Sequence, residues 1–423
     1  MKITINHLAK IEGHAGFFAD ILNGDIENAK IKVKVGARLI EGIVLNRNYV
    51  ETPIVTSRIC GICSVAHNLT SIKALEDAFN IKITPKAEIL RKILFLAEPI
   101  QSHAAHLFFL SLSDFFKYDN DLDLIKKYPD LTKKIVSIRD FGNRIKEVIG
   151  GRDMHLLSTE IGGFRKEPEE KELKKIYFAV SKVLEEAIVV AEFFKKLNYP
   201  YYERKVELVG LVGKNEYSFY KGEIKTSSGE KTSIKSFYKE LSEEQTNYDP
   251  TKRVKHKGRE FMVGAIARLN LSHSLLNPEA KKLLDFFGSK KTSDGLITKN
   301  TFHNIYAQAV ELTHCAEEVK NLLDNYFKDK SKILLVKYRM RNGEGLAATE
   351  APRGTLYHYY KVDRYGVIRE CNIIPPTAQF LDSLENDLEK YLSEAEIKND
   401  EDRKRKINMM VRAYDPCMTC ATH

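Results

Sequence analysis

Four of the six cysteines stand in two Cys-x-x-Cys pairs, Cys60/Cys63 near the beginning of the chain and Cys417/Cys420 at its extreme end. If the four thiols act together, the fold must carry the two ends of 423 residues to one point. Each pair is followed by a histidine, His67 after the first and His423 after the second. In a reducing compartment such pairs bind metal or do redox chemistry more often than they form structural disulfides. Four thiolates suit a tetrahedral zinc, then an iron–sulfur cluster, and nickel and iron also take them. A simple zinc site fits poorly, because zinc ribbons and fingers gather their ligands within a short segment and have no reason to end the chain. Cys315, in the helical pattern AVELTHCAEEVKNLL, and Cys371, after an apparent strand, read as small core residues.

Hydrophobic residues make up 43% and charged residues 30% of the sequence, the profile of a globular protein. The net charge of +9 is spread among interleaved acids and bases, as in KELKKIYFAVSKVLEEA, which argues against nucleic acid as a partner. No apolar run reaches the roughly 18–20 residues of a membrane span, and the N-terminus lacks the apolar stretch of a signal peptide, so the expected location is the cytoplasm. Residues 2–36 alternate apolar and polar, with a break at Asn23-Gly24, and predict a small antiparallel sheet. A long apolar helix is expected from about Lys86 to Phe116, kinked or broken at Pro99, with further helices over 121–149, 168–197, 300–328 and 381–411. Residues 200–262, rich in Tyr, Lys, Gly and Ser, read as a β-rich inserted lobe. The expected fold is mainly α with peripheral β (α+β), a mostly helical core in a chain long enough for one large core or for two ordinary domains.

The two cysteine motifs, R-x-C-G-x-C-x-x-x-H (Arg58 to His67) and D-P-C-x-x-C-x-x-H (Asp415 to His423), together resemble those of the large subunit of the [NiFe] hydrogenases, and the likeness extends over nearly the whole chain. It implies one domain over 1–423 with the family's long-helix bundle core, and reversible oxidation of dihydrogen to protons and electrons. It implies nickel held by Cys60, Cys63, Cys417 and Cys420, with Cys63 and Cys420 bridging to an iron that carries carbon monoxide and two cyanides. Soft thiolate sulfur suits such a pair. HLAKIEGHAG (7–16) resembles the family's R-x-E-G-H segment, with Lys10 in place of Arg, and gives Glu12 the part of proton relay from Cys417. Arg38-Leu39-Ile40-Glu41 resembles R-G-x-E and assigns Glu41, with His423 and the backbone carbonyl of Ile373, to a second, hard metal ion, usually magnesium. Glu350-Ala351-Pro352-Arg353-Gly354 matches E-A-P-R-G. It places Pro352 and Arg353 over the open face of the metals, where a guanidinium oriented by Asp415 offsets the negative charge of thiolates and cyanides. Ile374-Pro375-Pro376-Thr377-Ala378 resembles a loop that seats the other cyanide through Thr377, although Gln379-Phe380 stands where the family often has Asn. His103 and His106, i and i+3 on the long helix, read as supporting or core residues rather than ligands.

With only Cys315 and Cys371 left over, this chain has no thiolate set for an iron–sulfur cluster. Electrons must then leave through an obligate iron–sulfur small subunit. SVAH after the first pair, REFMVGAIAR (259–268) and MVRAYDPC (410–417) resemble the cytosolic branch, which couples to NAD(P) or sulfur through diaphorase/flavin and ferredoxin-like subunits. Family precursors commonly carry a tail that is clipped after metal insertion. Nothing follows His423, which suits a mature form or a gene without that tail. The competing readings are a structural zinc or electron-relay protein, a quinone module related to respiratory complex I, and a hydrogen sensor.

Overall fold

The structure, a computed structural model, describes residues 2–22, 25–34, 36–37, 39–118, 120–288, 292, 295–331 and 335–423. The Asn23-Gly24 break and Arg38 lie outside the described residues. The N-terminal sheet is present as strands Lys2–Ile5, Ala15–Leu22 and Asp25–Val33, antiparallel and in chain order. Alternation puts Ala15, Phe17 and Ala19 on one face, buried with Ala29, Ile31 and Val33. That sheet lies against the helix Pro376–Glu394, whose Glu385 accepts the Ile31 N–H at 2.9 Å.

Four long helices form the centre: Pro85–Ala105, Pro129–Gly150, Glu170–Lys195 and His303–Lys328, each packed on two of the others. The first starts on an ordinary cap, Thr84 accepting the Ala87 N–H with Pro85 in the first turn. Pro99 does not break it. The α-helical pattern runs on to Ala105 and yields there to a π-helical stretch, His106–Ser111, before resuming as Leu112–Phe116. The irregularity sits at the histidines instead of at the proline. By length and composition the stretch Pro85–Phe116 passes as a membrane span, but 83% of its most apolar window is buried inside the molecule, so it is a core helix.

Between 200 and 262 lie short strands and one short helix. Glu207–Val212 is the buried strand, paired with Glu223–Thr226 and Phe261–Met262 and packed on the helix Ala265–Ser272. The single run expected over 381–411 is two helices, Pro376–Glu394 and Asp400–Tyr414, because Asn399 caps a new start by accepting the Asp402 N–H at 2.8 Å. Cys371 lies within a strand, half-buried, and does not follow one. Several elements give little advance signal, among them one helix and one sheet. The helix Ser64–Phe79 is buried on nearly every side and therefore has no polar stripe to reveal its period. The sheet Gly343–Ala351, Gly354–Val362, Ile368–Ile374 folds about a two-residue turn, Pro352-Arg353, whose closing pair is Ala351–Gly354. Among the described residues one apolar cluster runs from Ile5 to Ala421 through these elements.

Candidate active site

The first cysteine pair sits where an irregular segment enters a helix. Cys63 caps Ser64–Phe79, and the amides of Val65 and Ala66 in its first turn donate to buried Glu98 at 2.7 and 3.1 Å. Burial pushes Glu98 up to about 8, against those two amides and Lys146. The second pair leaves the helix Asp400–Tyr414 through Asp415, whose left-handed backbone (φ 51°) ends the helix and turns Pro416-Cys417 back across the start of the chain. There Cys417 pairs with Glu12 in a parallel bridge, and the Met418 N–H donates to the Glu12 carbonyl at 2.8 Å. The approach requires Gly13. At φ +85° a Cβ there would stand 3.0 Å from Met418 Cβ and 3.1 Å from the Thr419 nitrogen.

All four Sγ atoms consequently lie within 4.8 Å of one another, buried, with Cys60 and Cys417 3.6 Å apart and Cys417 and Cys420 2.9 Å apart. The thiols cannot ionise independently. Hydrogen bonds from Cys417, then Cys420 and Cys63, pull Cys60 well below the ordinary thiol range, while the bonds to Cys417 and the charge that results push Cys63 and Cys420 above it. A cation among the four sulfurs removes that penalty, so the donor chemistry fits a soft transition metal.

Above the sulfurs, the Pro352-Arg353 turn projects Arg353, buried, whose Nη1 lies 3.4 Å from Cys63 Sγ. Asp415 fixes it through three bonds: Nε to the backbone oxygen (2.8 Å) and to Oδ1 (3.1 Å), and Nη2 to Oδ1 (2.9 Å). Burial opposes the charge, but Asp415 and the thiolates keep Arg353 a cation. Thr377 Oγ1 accepts the Cys417 N–H at 3.0 Å, and Gln379 donates to the Thr355 carbonyl at 2.5 Å. Lys10 points away from the sulfurs, to Ser113 Oγ (2.8 Å) and Asp121.

Beside Cys417 lies a side chain that sequence reading missed. Thr419 Oγ1 is 3.4 Å from Cys417 Sγ and donates to Glu12 Oε1 at 3.3 Å, so one hydroxyl joins the thiol to the carboxyl. Burial, and then the negative charge of Cys60, raise Glu12 above the ordinary carboxylate range, against Arg353 and the Thr419 bond.

On the other side, Glu41, Ile373 and His423 meet. His423 Nε2 is 3.0 Å from the Ile373 carbonyl and 3.5 Å from Glu41 Oε1, and the Ile373 N–H donates to Glu41 at 2.7 Å. A carboxylate and a carbonyl oxygen, each within 3.5 Å of the same imidazole nitrogen, are a donor set that suits a hard divalent ion. Lys252, also unforeseen, lies 3.0 and 3.1 Å from the Glu41 oxygens. Burial opposes ionisation of Glu41, yet His423, Lys252 and the Ile373 amide hold it down to about 2.

His103 and His106 face other protein groups. His103 Nε2 is 3.0 Å from Glu311 Oε2. His106 Nδ1 is 2.5 Å from Gln308 Oε1, and its Nε2 is 2.9 Å from the Arg412 carbonyl. Gln308 in turn donates to Asp415 Oδ2 at 3.0 Å.

A family model for nickel-dependent hydrogenase matches residues 38–146 and 198–423. The α subunit of sulfhydrogenase 2 from Pyrococcus furiosus is 32% identical, covering 100% of this chain and 99% of that relative. The β subunit of the NAD-reducing hydrogenase HoxS from Cupriavidus necator is 30% identical over 100% of this chain and 94% of its own. Among solved structures, an NAD+-reducing [NiFe]-hydrogenase in the H2-reduced state superposes with a TM-score of 0.89 at 25% identity, covering 100% and 99% of the two chains. Such enzymes carry a nickel–iron centre, and the four clustered cysteines form a metal site. Membership in that family replaces the zinc reading: this chain belongs to the nickel-dependent hydrogenases and is the catalytic large subunit of a [NiFe] hydrogenase.

Proposed function

We propose that residues 1–423 act as one catalytic domain in which Cys60, Cys63, Cys417 and Cys420 hold the nickel, Cys63 and Cys420 also hold an iron bearing carbon monoxide and two cyanides, and Glu41, Ile373 and His423 hold magnesium. The observation that carries the reading is the convergence of four buried sulfurs from opposite ends of the chain within 4.8 Å. When bound, the metal pair would supply the site for cleaving dihydrogen and the acceptor for its two electrons. The chain's own groups handle the protons and the charge. Cys417 Sγ accepts a proton, the Thr419 hydroxyl passes it, and Glu12 receives it, since a carboxylate raised toward neutrality is a better match for a thiol. Arg353 offsets the charge of thiolates and cyanides and excludes water above them. Pro352 shapes that roof, and Thr377, whose oxygen accepts from Cys417, keeps its own proton for a cyanide.

The test is metal analysis and infrared spectroscopy of the purified complex. About one nickel and one iron per chain, with carbonyl and cyanide stretches, is the expected result. Zinc in their place, or no such bands, would sink the assignment. Cys420→Ser is expected to lose both metals.

Its electrons pass to an iron–sulfur small subunit and onward, through diaphorase or ferredoxin-like subunits, to NAD(P) or sulfur. The enzyme works in the cytoplasm. The likeness to sulfhydrogenase and NAD-reducing hydrogenase subunits supports these acceptors. A band of exposed apolar side chains flanks the Cys60 motif and supports the docking surface. Leu39, Ile43, Val50, Ile54, Met154 and Leu157 are exposed, and Met154 Sδ reaches within 3.6 Å of the space beside Gly61. Met154→Glu with Leu157→Glu is expected to weaken small-subunit binding by about thirtyfold or more, as loss of a hot spot does. Co-purification at wild-type yield would move the interface elsewhere.

A further inference from the structure

We propose that Arg268 is a positioning residue for Arg353: clamped by Glu311 and Glu350, it holds the two peptide carbonyls that lead into the Pro352-Arg353 turn and so fixes the Arg353 guanidinium over the sulfurs. The inference rests on the metal assignment above.

Arg268 is buried, and all three of its nitrogens are engaged. Its Nε and Nη2 donate to the two oxygens of Glu311, each at 2.7 Å. Nη1 donates to Glu350 Oε2 at 2.8 Å and to the Ala351 carbonyl at 3.1 Å, and Nη2 also donates to the Pro352 carbonyl at 2.9 Å. The two carboxylates are themselves saturated. Glu311 takes the Tyr217 hydroxyl (2.6 Å) and faces His103, while Glu350 takes the Leu211 amide (2.7 Å) and the Thr355 hydroxyl (2.6 Å). Guanidinium geometry suits this task, because a rigid planar fork can bind a carboxylate side-on and still present N–H groups to two carbonyls. A buried ion cluster is weak evidence for stability, since apolar packing of the same volume often serves as well. What the cluster adds is a defined location for a turn that has only one residue between Pro352 and the next strand.

The same helix controls both members of the Arg353–Asp415 pair. Asn304, Gln308 and Glu311, spaced by four and three, share one face of His303–Lys328. Glu311 acts on Arg353 through Arg268. Gln308 binds Asp415, and Asn304 ties the Ile266 N–H (2.8 Å) to the Ala413 carbonyl (2.7 Å). Gly264 brings the chain close under the turn: at φ +106° a Cβ there would lie 3.2 Å from the Arg353 carbonyl oxygen.

Arg268→Lys in the intact holoenzyme complex tests the proposal. The ammonium keeps the charge between the two glutamates but cannot hold both carbonyls. Nickel and iron content and the thermal midpoint should stay near wild type. The cyanide stretches should shift, and kcat for dihydrogen oxidation should fall about tenfold or more, the scale of a lost outer hydrogen bond at a metal site, with KM unchanged. In an Arg353→Lys background the same substitution should cost little further, because its effect runs through Arg353. Metal-loaded Arg268→Lys with unshifted bands and unchanged kcat would overturn the proposal, as would an equal loss in the Arg353→Lys background. If Arg268→Lys fails to load metal, Glu311→Gln is measured in the same way, with the same outcomes. Absence of carbonyl and cyanide bands in the wild-type enzyme would instead defeat the metal assignment.

Discussion

Replacing Glu12 with glutamine is expected to lower hydrogen–deuterium exchange by about 10²–10⁴-fold, the usual contribution of a positioned acid–base group, while nickel and iron content stays at the wild-type level. Glutamine has the shape of glutamate and can still accept from the Thr419 hydroxyl, so the local packing and the Met418–Glu12 backbone bond survive. What it lacks is a site for the incoming proton. Glu12 meets the second cysteine segment through backbone pairing and through Thr419 and is not itself a metal ligand, which separates proton transfer from metal retention. In the wild type, a carboxyl held above its usual range by burial and by the Cys60 charge is protonated, and unable to accept, at a higher pH than an exposed glutamate. Proton acceptance should therefore decline as pH falls through that raised value, and the decline should be missing from the residual activity of Glu12→Gln. Undiminished exchange in a metal-replete Glu12→Gln enzyme would eliminate the relay through this residue.

Arg353→Lys should reduce kcat by about 10²–10³-fold, the cost of removing one preorganised donor at a site of developing charge. Lysine preserves the formal charge. It loses the three bonds to Asp415, which need donors at both Nε and Nη2, and it loses the contact of Nη1 with Cys63 Sγ. Because Asp415 also accepts from Gln308, the carboxylate stays partly satisfied and the protein should still fold and bind metal. Steady-state oxidation of dihydrogen, read beside nickel content, checks this. Wild-type turnover would show that the cation alone matters and that its fixed orientation does not.

The Cys-x-x-Cys pairs with their trailing histidines are local patterns, so the thiolate donors and the chemistry they favour were legible along the chain. The N-terminal sheet and the long helices were legible for a similar reason, because one polar face leaves a period of two or of 3.6 in the sequence. The helix Ser64–Phe79 was not, since burial on all sides erases that contrast. The resemblance of Glu-Ala-Pro-Arg-Gly put Pro352 and Arg353 over the metals, but it could not announce that the two residues are the turn of a hairpin. Only the tertiary structure decided how the ends of the chain meet, with Asp415 in a left-handed conformation and Gly13 leaving room for Thr419. Thr419, Lys252, Arg268 and Gln308 belong to that second group. Each works through partners dozens to hundreds of residues away in sequence or through one bridging hydroxyl, and a lone Thr, Lys, Arg or Gln has no spacing that records such a contact. Periodicity and short motifs report what neighbouring residues share, whereas the proton path and the roof over the metals depend on where distant segments cross.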